Sequence, residues 1–293
     1  AVTQDIPIRV GCYEVDGENW IVSVVVHHLV ADGLSMLPLA RDIAAAYSAR
    51  REDKTPSWPA LDVQYADYAL WQRQLLGMPD DPQSRVARQR DFWQEALAGL
   101  GSAMELPTDR PRPQIRTGEG RRVEFVLDAE LHRRLRACAS EHRSTLFMVV
   151  HSVFVAFLAR MCATEDVSVG TYVGGRADNA LDDVVGMFVN TVVLRTRLRR
   201  TARFADLVDT VRDNDLAAFT HADIPFDQVV EAVNPPRSSS HTPLFQVSLE
   251  VQATSDLHLE LPGADVELLD PGAVSALFDL HLSLSENYSS DGD

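Results

Sequence analysis

The 293-residue sequence predicts a mixed α/β protein whose sheets are covered by helices, and three observations carry that expectation. Short β-branched runs recur at 19–26, 167–173, 189–198, 244–251 and 277–285. Stretches with apolar residues at three- and four-residue spacing recur among them. One of these, 145–160, is apolar nearly all round (Leu146, Val149, Val150, Val153, Phe154, Phe157, Leu158), the pattern of a helix buried between layers. With 45% hydrophobic and 24% charged residues, the chain has the composition of a globular protein, which excludes a disordered or fibrous one.

Taken in order, 19–26 reads as a buried strand, because Ile21, Val22, Val24, Val25 and Val26 leave no clean polar face. It ends at His27. Ser35 then stands as the N-cap of a helix with Leu37, Ala40, Ile43, Ala44 and Tyr47 on one side and Arg50 and Arg51 at its C-terminal dipole. Helices follow near 63–76 and 84–100. In the first, Tyr65, Tyr68 and Trp71 share a face as core anchors. The densest breaker region is 106–120, with Pro107, Pro111, Pro113, Gly118 and Gly120. It divides the chain into 1–106, a linker at 107–120, and 121–293. Beyond it, Val123, Phe125 and Leu127 alternate as a strand, Leu131, Leu135 and Cys138 form a helical stripe, and a helix is expected at 204–219.

Charge restricts the partners. Against 27 basic residues stand 43 acidic ones, and the net charge of -16 repels nucleic-acid backbones and anionic lipid surfaces. Residues 250–293 hold ten of the acidic residues and no base, which reads as solvated loops and strand edges. No apolar run approaches the ~20 residues of a membrane span. Three scattered cysteines, Cys12, Cys138 and Cys162, lack the pairing of a disulfide framework or a structural zinc site, so a reducing cytoplasm is expected. The start at Ala1 and the uncapped run 289–293 give the look of an excised piece.

The segment richest in chemistry is His27-His28-Leu29-Val30-Ala31-Asp32-Gly33-Leu34-Ser35. Successive strand side chains point to opposite faces, so the two histidines cannot share a cavity while the strand persists. Asp32 is placed to lock the turn by pairing with an arginine or with backbone amides, and Gly33 allows a positive φ or the close approach of a substrate. Three readings compete: a histidine pair packed at a strand end, a metal site, and an acyl-transfer histidine. The metal reading lacks a third ligand nearby.

The whole pattern resembles the HHxxxDG active-site motif of chloramphenicol acetyltransferase-like enzymes, a superfamily that includes the condensation domains of nonribosomal peptide synthetases. Other segments are similar to further condensation motifs in the expected order: Gln64 to Gln72, Leu106 to Pro113, Val169 to Arg176, Gly186 to Thr191, His221 to Phe226, and Pro243 to Val247. The likeness runs over nearly the whole chain, without the family's two early N-terminal motifs and its final stretch.

That resemblance implies a two-lobe chloramphenicol acetyltransferase-like fold with His28 as the catalytic residue. His27, Asp32, Gly33 and Arg176 then build the active site, Asp32 pairing with Arg176, while Ser35 and Asn190 are candidates for the substrate's surroundings, Asn190 either donating to a backbone or substrate carbonyl or simply satisfying buried backbone in its strand. His27 points away from the tunnel between the lobes, in a packing or hydrogen-bonding role or orienting the loop. It further implies that donor and acceptor carrier-protein domains deliver thioesters, beside a neighbouring adenylation domain. No metal or bound cofactor is expected, the phosphopantetheine arms belonging to the carriers. The reaction implied is amide formation. The alternatives are a noncatalytic recruitment relative, a class that typically loses the second histidine, and an acyltransferase using coenzyme A or another small thioester. An epimerase shares HHxxxDG, but the 186–191 segment has the condensation form.

Overall fold

The computed structural model of the chain describes residues 4–101, 104–199, 201–253, 259–269, 272 and 275–287. Two compact units share it: the first takes 1–75, 174–189 and 256–269, the second 76–173, 190–255 and 270–293. The proline-rich stretch 107–120 belongs to the second unit, and 174–189 returns to the first.

The first unit opens with an antiparallel hairpin, β1 (Ile8–Asp16) and β2 (Asn19–Val26). Asp16 makes the turn, its carboxylate accepting the N–H groups of Glu18 and Asn19 at 3.3 and 3.0 Å. The expected strand at 19–26 is present, but it is not buried: Val22 on one face and Val25 on the other are each 60% exposed. β-Branched residues suit an extended backbone whether or not a layer covers them, so composition here reported strand propensity and not depth. Helix α1 (Met36–Arg51) follows, then α2 (Tyr65–Leu76), whose last residue falls in the second unit. The unit's small core joins Tyr68 to Leu181, Val184 and Phe188, with Val63 and Tyr65 against it. Trp71, expected as a core anchor, is half exposed.

The second unit is built on a four-stranded mixed sheet ordered β4-β3-β5-β6, where β3 is Asp166–Val173, β4 Asn190–Arg197, β5 Val247–Ala253 and β6 Leu280–Glu286. β3 runs antiparallel to β4 and parallel to β5, which is parallel to β6. Its helices are α3 (Arg85–Ala96), α4 (Ala129–Glu141), α5 (Leu146–Met161), α6 (Phe204–Thr220) and α7 (Phe226–Val233). Three start under side-chain caps, Ser84, Asp128 and Thr145 accepting the N–H groups of Ala87, Leu131 and Met148. α5 is the buried helix the pattern predicts, with Val155 and Leu158 at 0% exposure among Val167, Val169, Val247 and Leu249 of the sheet.

Other segments depart from what their sequence pattern predicts. Residues 121–128 form no strand, and Val123 is 83% exposed. Alternation alone makes no strand when no described neighbour pairs with the segment. The helix expected to reach residue 100 stops at Ala96, Leu97 capping it and Gly99 taking a positive φ of 65°. β1 and the eight-residue α7 were not foreseen. Among the described residues, no single helix is long and apolar enough to cross a membrane.

Candidate functional site

The site begins where β2 ends. Beyond Val26 the chain folds into a turn pinned at three points: the His27 N–H donates to Pro7 O at 2.8 Å, the Val30 N–H to His27 O at 3.0 Å, and the Leu29 N–H to His27 Nδ1 at 3.0 Å. Of the roles expected for His27, the structure shows hydrogen bonding and not packing: the side chain is exposed, its ring accepting from the turn it shapes. His28 lies in the same turn, exposed to solvent and with no ring partner among the described residues.

Four residues on, the chain is anchored below the surface. The side chain of Asp32 is 0% exposed and that of Arg176 is 5%, and Arg176 Nη1 donates to Asp32 Oδ2 at 2.8 Å. The Phe188 N–H donates to the same oxygen at 3.0 Å. Oδ1 accepts the Ser35 N–H at 3.0 Å and the Ser35 hydroxyl at 2.7 Å. A carboxylate offers about four lone-pair positions, and all are taken, so none is left for His28. Burial pushes the Asp32 carboxyl up, but the hydrogen bonds from Arg176, Ser35 and Phe188, with the Arg176 charge, outweigh it and hold the group below its ordinary 3.8. The anticipated Asp32–Arg176 pairing is thus present.

Arg176 is itself held on several sides. It donates to Ser35 Oγ and to the carbonyls of Leu181 and Val184 at 3.1 to 3.3 Å. Its guanidinium lies 4.1 Å from the Phe188 ring centroid. Ser35 corrects two expectations at once. It is 0% exposed, so it does not stand at an open substrate surface, and although it occupies the N-cap position of α1 as expected, its hydroxyl makes no capping bond. The hydroxyl is taken instead by Asp32 and by Gly186: the Gly186 N–H donates to it at 3.1 Å, and its single proton is shared between Asp32 Oδ1 at 2.7 Å and the Gly186 carbonyl at 2.9 Å. The Asp32 carboxylate takes the capping role through the Ser35 N–H.

Gly33 needs no special conformation, since its φ is not positive, and a Cβ there would meet nothing within 4 Å. The backbone beside the turn is simply open. Asn190, a candidate either for substrate contact or for satisfying buried backbone, belongs to the second unit and takes the backbone role. It donates to Ala222 O and Ile224 O at 2.9 and 2.7 Å and accepts the Phe226 N–H at 3.1 Å, holding the His221 to Phe226 loop. Among the described residues, no three metal-ligating side chains converge.

One contributor is not marked as such by the sequence. Tyr65 donates its hydroxyl to Met187 O at 2.7 Å, and its ring fills the space a side chain at Gly186 would need. The aromatic periodicity of α2 marked Tyr65 as packing; what it packs on, the backbone that grips Asp32 and Ser35, is 122 residues away. The first unit thus presents a free imidazole on a short turn fixed to a buried ion pair. An imidazole so placed can accept a proton or a hydrogen bond from an incoming group without competition from the nearby carboxylate.

Comparison with known proteins gives this geometry a family. The chain is 46% identical over 288 residues to a probable non-canonical nonribosomal peptide synthetase, CymA, of Salinispora arenicola, covering 98% of this chain and 4% of that protein. It is 43% identical over 284 residues to a dimodular nonribosomal peptide synthase of Bacillus subtilis, covering 97% of this chain and 12% of that one. It therefore spans only a small part of these relatives. Among solved structures, the X-domain from teicoplanin biosynthesis matches 99% of this chain and 65% of its own with a TM-score of 0.91 at 32% identity, and its complex with OxyB has also been solved. The family model of the condensation domain matches residues 1–291, and the α/β fold, the clamped HHxxxDG turn and these relatives agree that the chain belongs to the condensation domain family.

Proposed function

We propose that the chain carries the amide-forming centre of a nonribosomal peptide synthetase condensation domain, with His28 as its catalytic residue. The observation that carries this reading is the exposed His28 imidazole on a turn whose other end is locked by Asp32 and Arg176. The acceptor is an aminoacyl thioester and the donor an acyl or peptidyl thioester, each on the phosphopantetheine arm of a carrier protein, with an adenylation domain nearby in the same cytoplasmic protein. The chain itself binds no cofactor.

The chemistry needs one mobile proton. An α-amine has an ordinary pKa of about 7.7 to 8.0, so a useful fraction is already neutral near neutrality and attacks the thioester carbonyl unaided. The new C–N bond leaves an ammonium and an oxyanion on one tetrahedral carbon. Neutral His28 takes the ammonium proton, or positions the amine by a hydrogen bond before attack. Collapse of the adduct breaks the C–S bond, and the departing thiolate recovers the proton from the imidazolium. The balance is one amide and one thiol. Asp32 stays out of this exchange because its acceptor positions are filled, and it acts by fixing the turn.

In the complete protein charged with both thioesters, His28→Ala is expected to lower amide formation by about 10²–10⁴-fold with an unchanged far-UV circular dichroism spectrum. Turnover near that of the wild type would remove His28 from the chemistry. A second reading, a domain that recruits a partner enzyme, is favoured by the close likeness to the X-domain. It predicts that the wild-type protein forms no amide while still capturing a partner, and that His28→Ala leaves the capture intact.

A further inference from the structure

Two helices of the second unit, α5 and α6, meet over ionisable side chains that the proposed reaction does not use. His151 and Asp215 are both 0% exposed. His151 Nδ1 lies 3.1 and 3.0 Å from the two oxygens of the Asp215 carboxylate. The neighbourhood is apolar: the Phe147 ring centroid is 6.0 Å from that of His151, and Val155 and Val211 are wholly buried on the same two helices. His151 Nε2 is buried with no hydrogen-bond partner among the described residues.

The charged groups on the surrounding elements are engaged elsewhere. On α4 and α6, His142 and Arg212 both reach Asp209, and Arg212 also pairs with Asp213. On β3 and β4, Asp166 is closed by Arg195 and Arg197, while Glu250 on β5 acts on Tyr172 and lies 3.6 Å from His281. Arg160 sits at the C-terminal end of α5, and Glu141 at that of α4 acts on Cys138. Among the described residues, the ionisable side chain in contact with the Asp215 carboxylate is His151.

The pair therefore settles its own protonation. If it holds only the proton of a neutral imidazole, Nδ1–H donates to the carboxylate, Nε2 is bare, and a net negative charge is buried. With one proton more the pair is neutral overall, written either as imidazolium and carboxylate or as imidazole and carboxylic acid, and in both forms Nε2 carries an unmet N–H. Burying a net charge costs more than leaving one N–H unmet. We propose that His151 and Asp215 share that extra proton in the folded chain and keep it at a pH where the unfolded chain has released it, making the α5–α6 junction an alkali-sensitive joint. The direction at Asp215 agrees, since burial pushes its carboxyl up against the opposing pull of His151.

The sign follows from linkage. The unfolded chain loses the proton near the ordinary histidine value of about 6.5. The stabilisation is complete below that pH and is lost as pH rises through the folded pair's own value, the unfolding constant growing up to tenfold per pH unit between the two. The test is chemical denaturation of the chain and of its Asp215→Asn variant from about pH 6 to about pH 9, together with ¹⁵N spectra of the histidine rings. The stability of the wild type is expected to fall relative to the variant as pH rises, and His151 to show a proton on Nε2 at neutral pH. Parallel stability curves, or a bare Nε2, would overturn the proposal. If Asp215→Asn does not fold, the ¹⁵N spectrum of the unaltered chain decides alone. Loss of amide formation by His28→Ala bears on the catalytic reading and leaves this test untouched.

Discussion

Removing the Asp32 carboxylate leaves the Arg176 guanidinium buried without its counter-charge and strips the Ser35 and Phe188 N–H groups of their acceptor. Breaking a buried pair in this way costs about 3–5 kcal/mol, so Asp32→Ala is expected to lower the unfolding free energy by that order, measured by urea denaturation. The pH dependence has a definite sign. The folded carboxyl lies below its unfolded 3.8, so its contribution is complete above that pH and disappears as pH falls through the folded value. The stability gap between the wild type and Asp32→Asn should be constant in neutral solution and close in acid. At this scale much was legible: the motif named Asp32 and Arg176 as partners. It misjudged Ser35 and left Asn190 open between substrate and buried backbone, because a short polar side chain looks the same in sequence whether it faces a ligand or satisfies a backbone far along the chain.

At the scale of elements, the site depends on a backbone strap. Gly186 and Phe188 bond to Asp32 and Ser35 with their main-chain groups, and Tyr65 at the first residue of α2 holds the strap at Met187 O. A Cβ at Gly186 would fall well inside contact distance of the Tyr65 ring. Gly186→Ala should therefore destabilise the chain by about 1–3 kcal/mol, as overpacking does, and a Tyr65→Ala partner substitution should recover part of that loss in a double-mutant cycle. Element type was readable from periodicity for α5, β3 and β4, because each repeats its pattern over eight residues or more. Pairing was not. The alternating 123–127 segment and β2 have similar composition, yet only β2 has a hydrogen-bonded neighbour among the described residues.

Over the whole molecule, stability is unevenly distributed. The second unit holds the extended cores around α5 and the sheet, whereas the hairpin of the first unit leaves apolar residues open on both faces. Leu158→Ala, at a position with 0% exposure, is expected to cost about 2–5 kcal/mol. Val22→Ala, at 60% exposure, should cost no more than about 0.5 kcal/mol. Differential scanning calorimetry of the two variants checks the contrast. Equal losses would mean that the hairpin is covered in solution.

The amino-acid order alone determined which residues favour helix or strand, the repulsion of anionic polymers, and the ordered motifs that mark a condensation domain, since these rest on local periodicity, summed charge and short-range spacing. Only the tertiary structure decided that β2 is open, that His27 shapes the turn while His28 stands free, and that Ser35 and Asn190 brace backbone. It also brought His151 against Asp215 in the core. Each of those outcomes depends on groups from distant parts of the chain competing for the same few lone pairs and the same volume, and no local pattern records that competition.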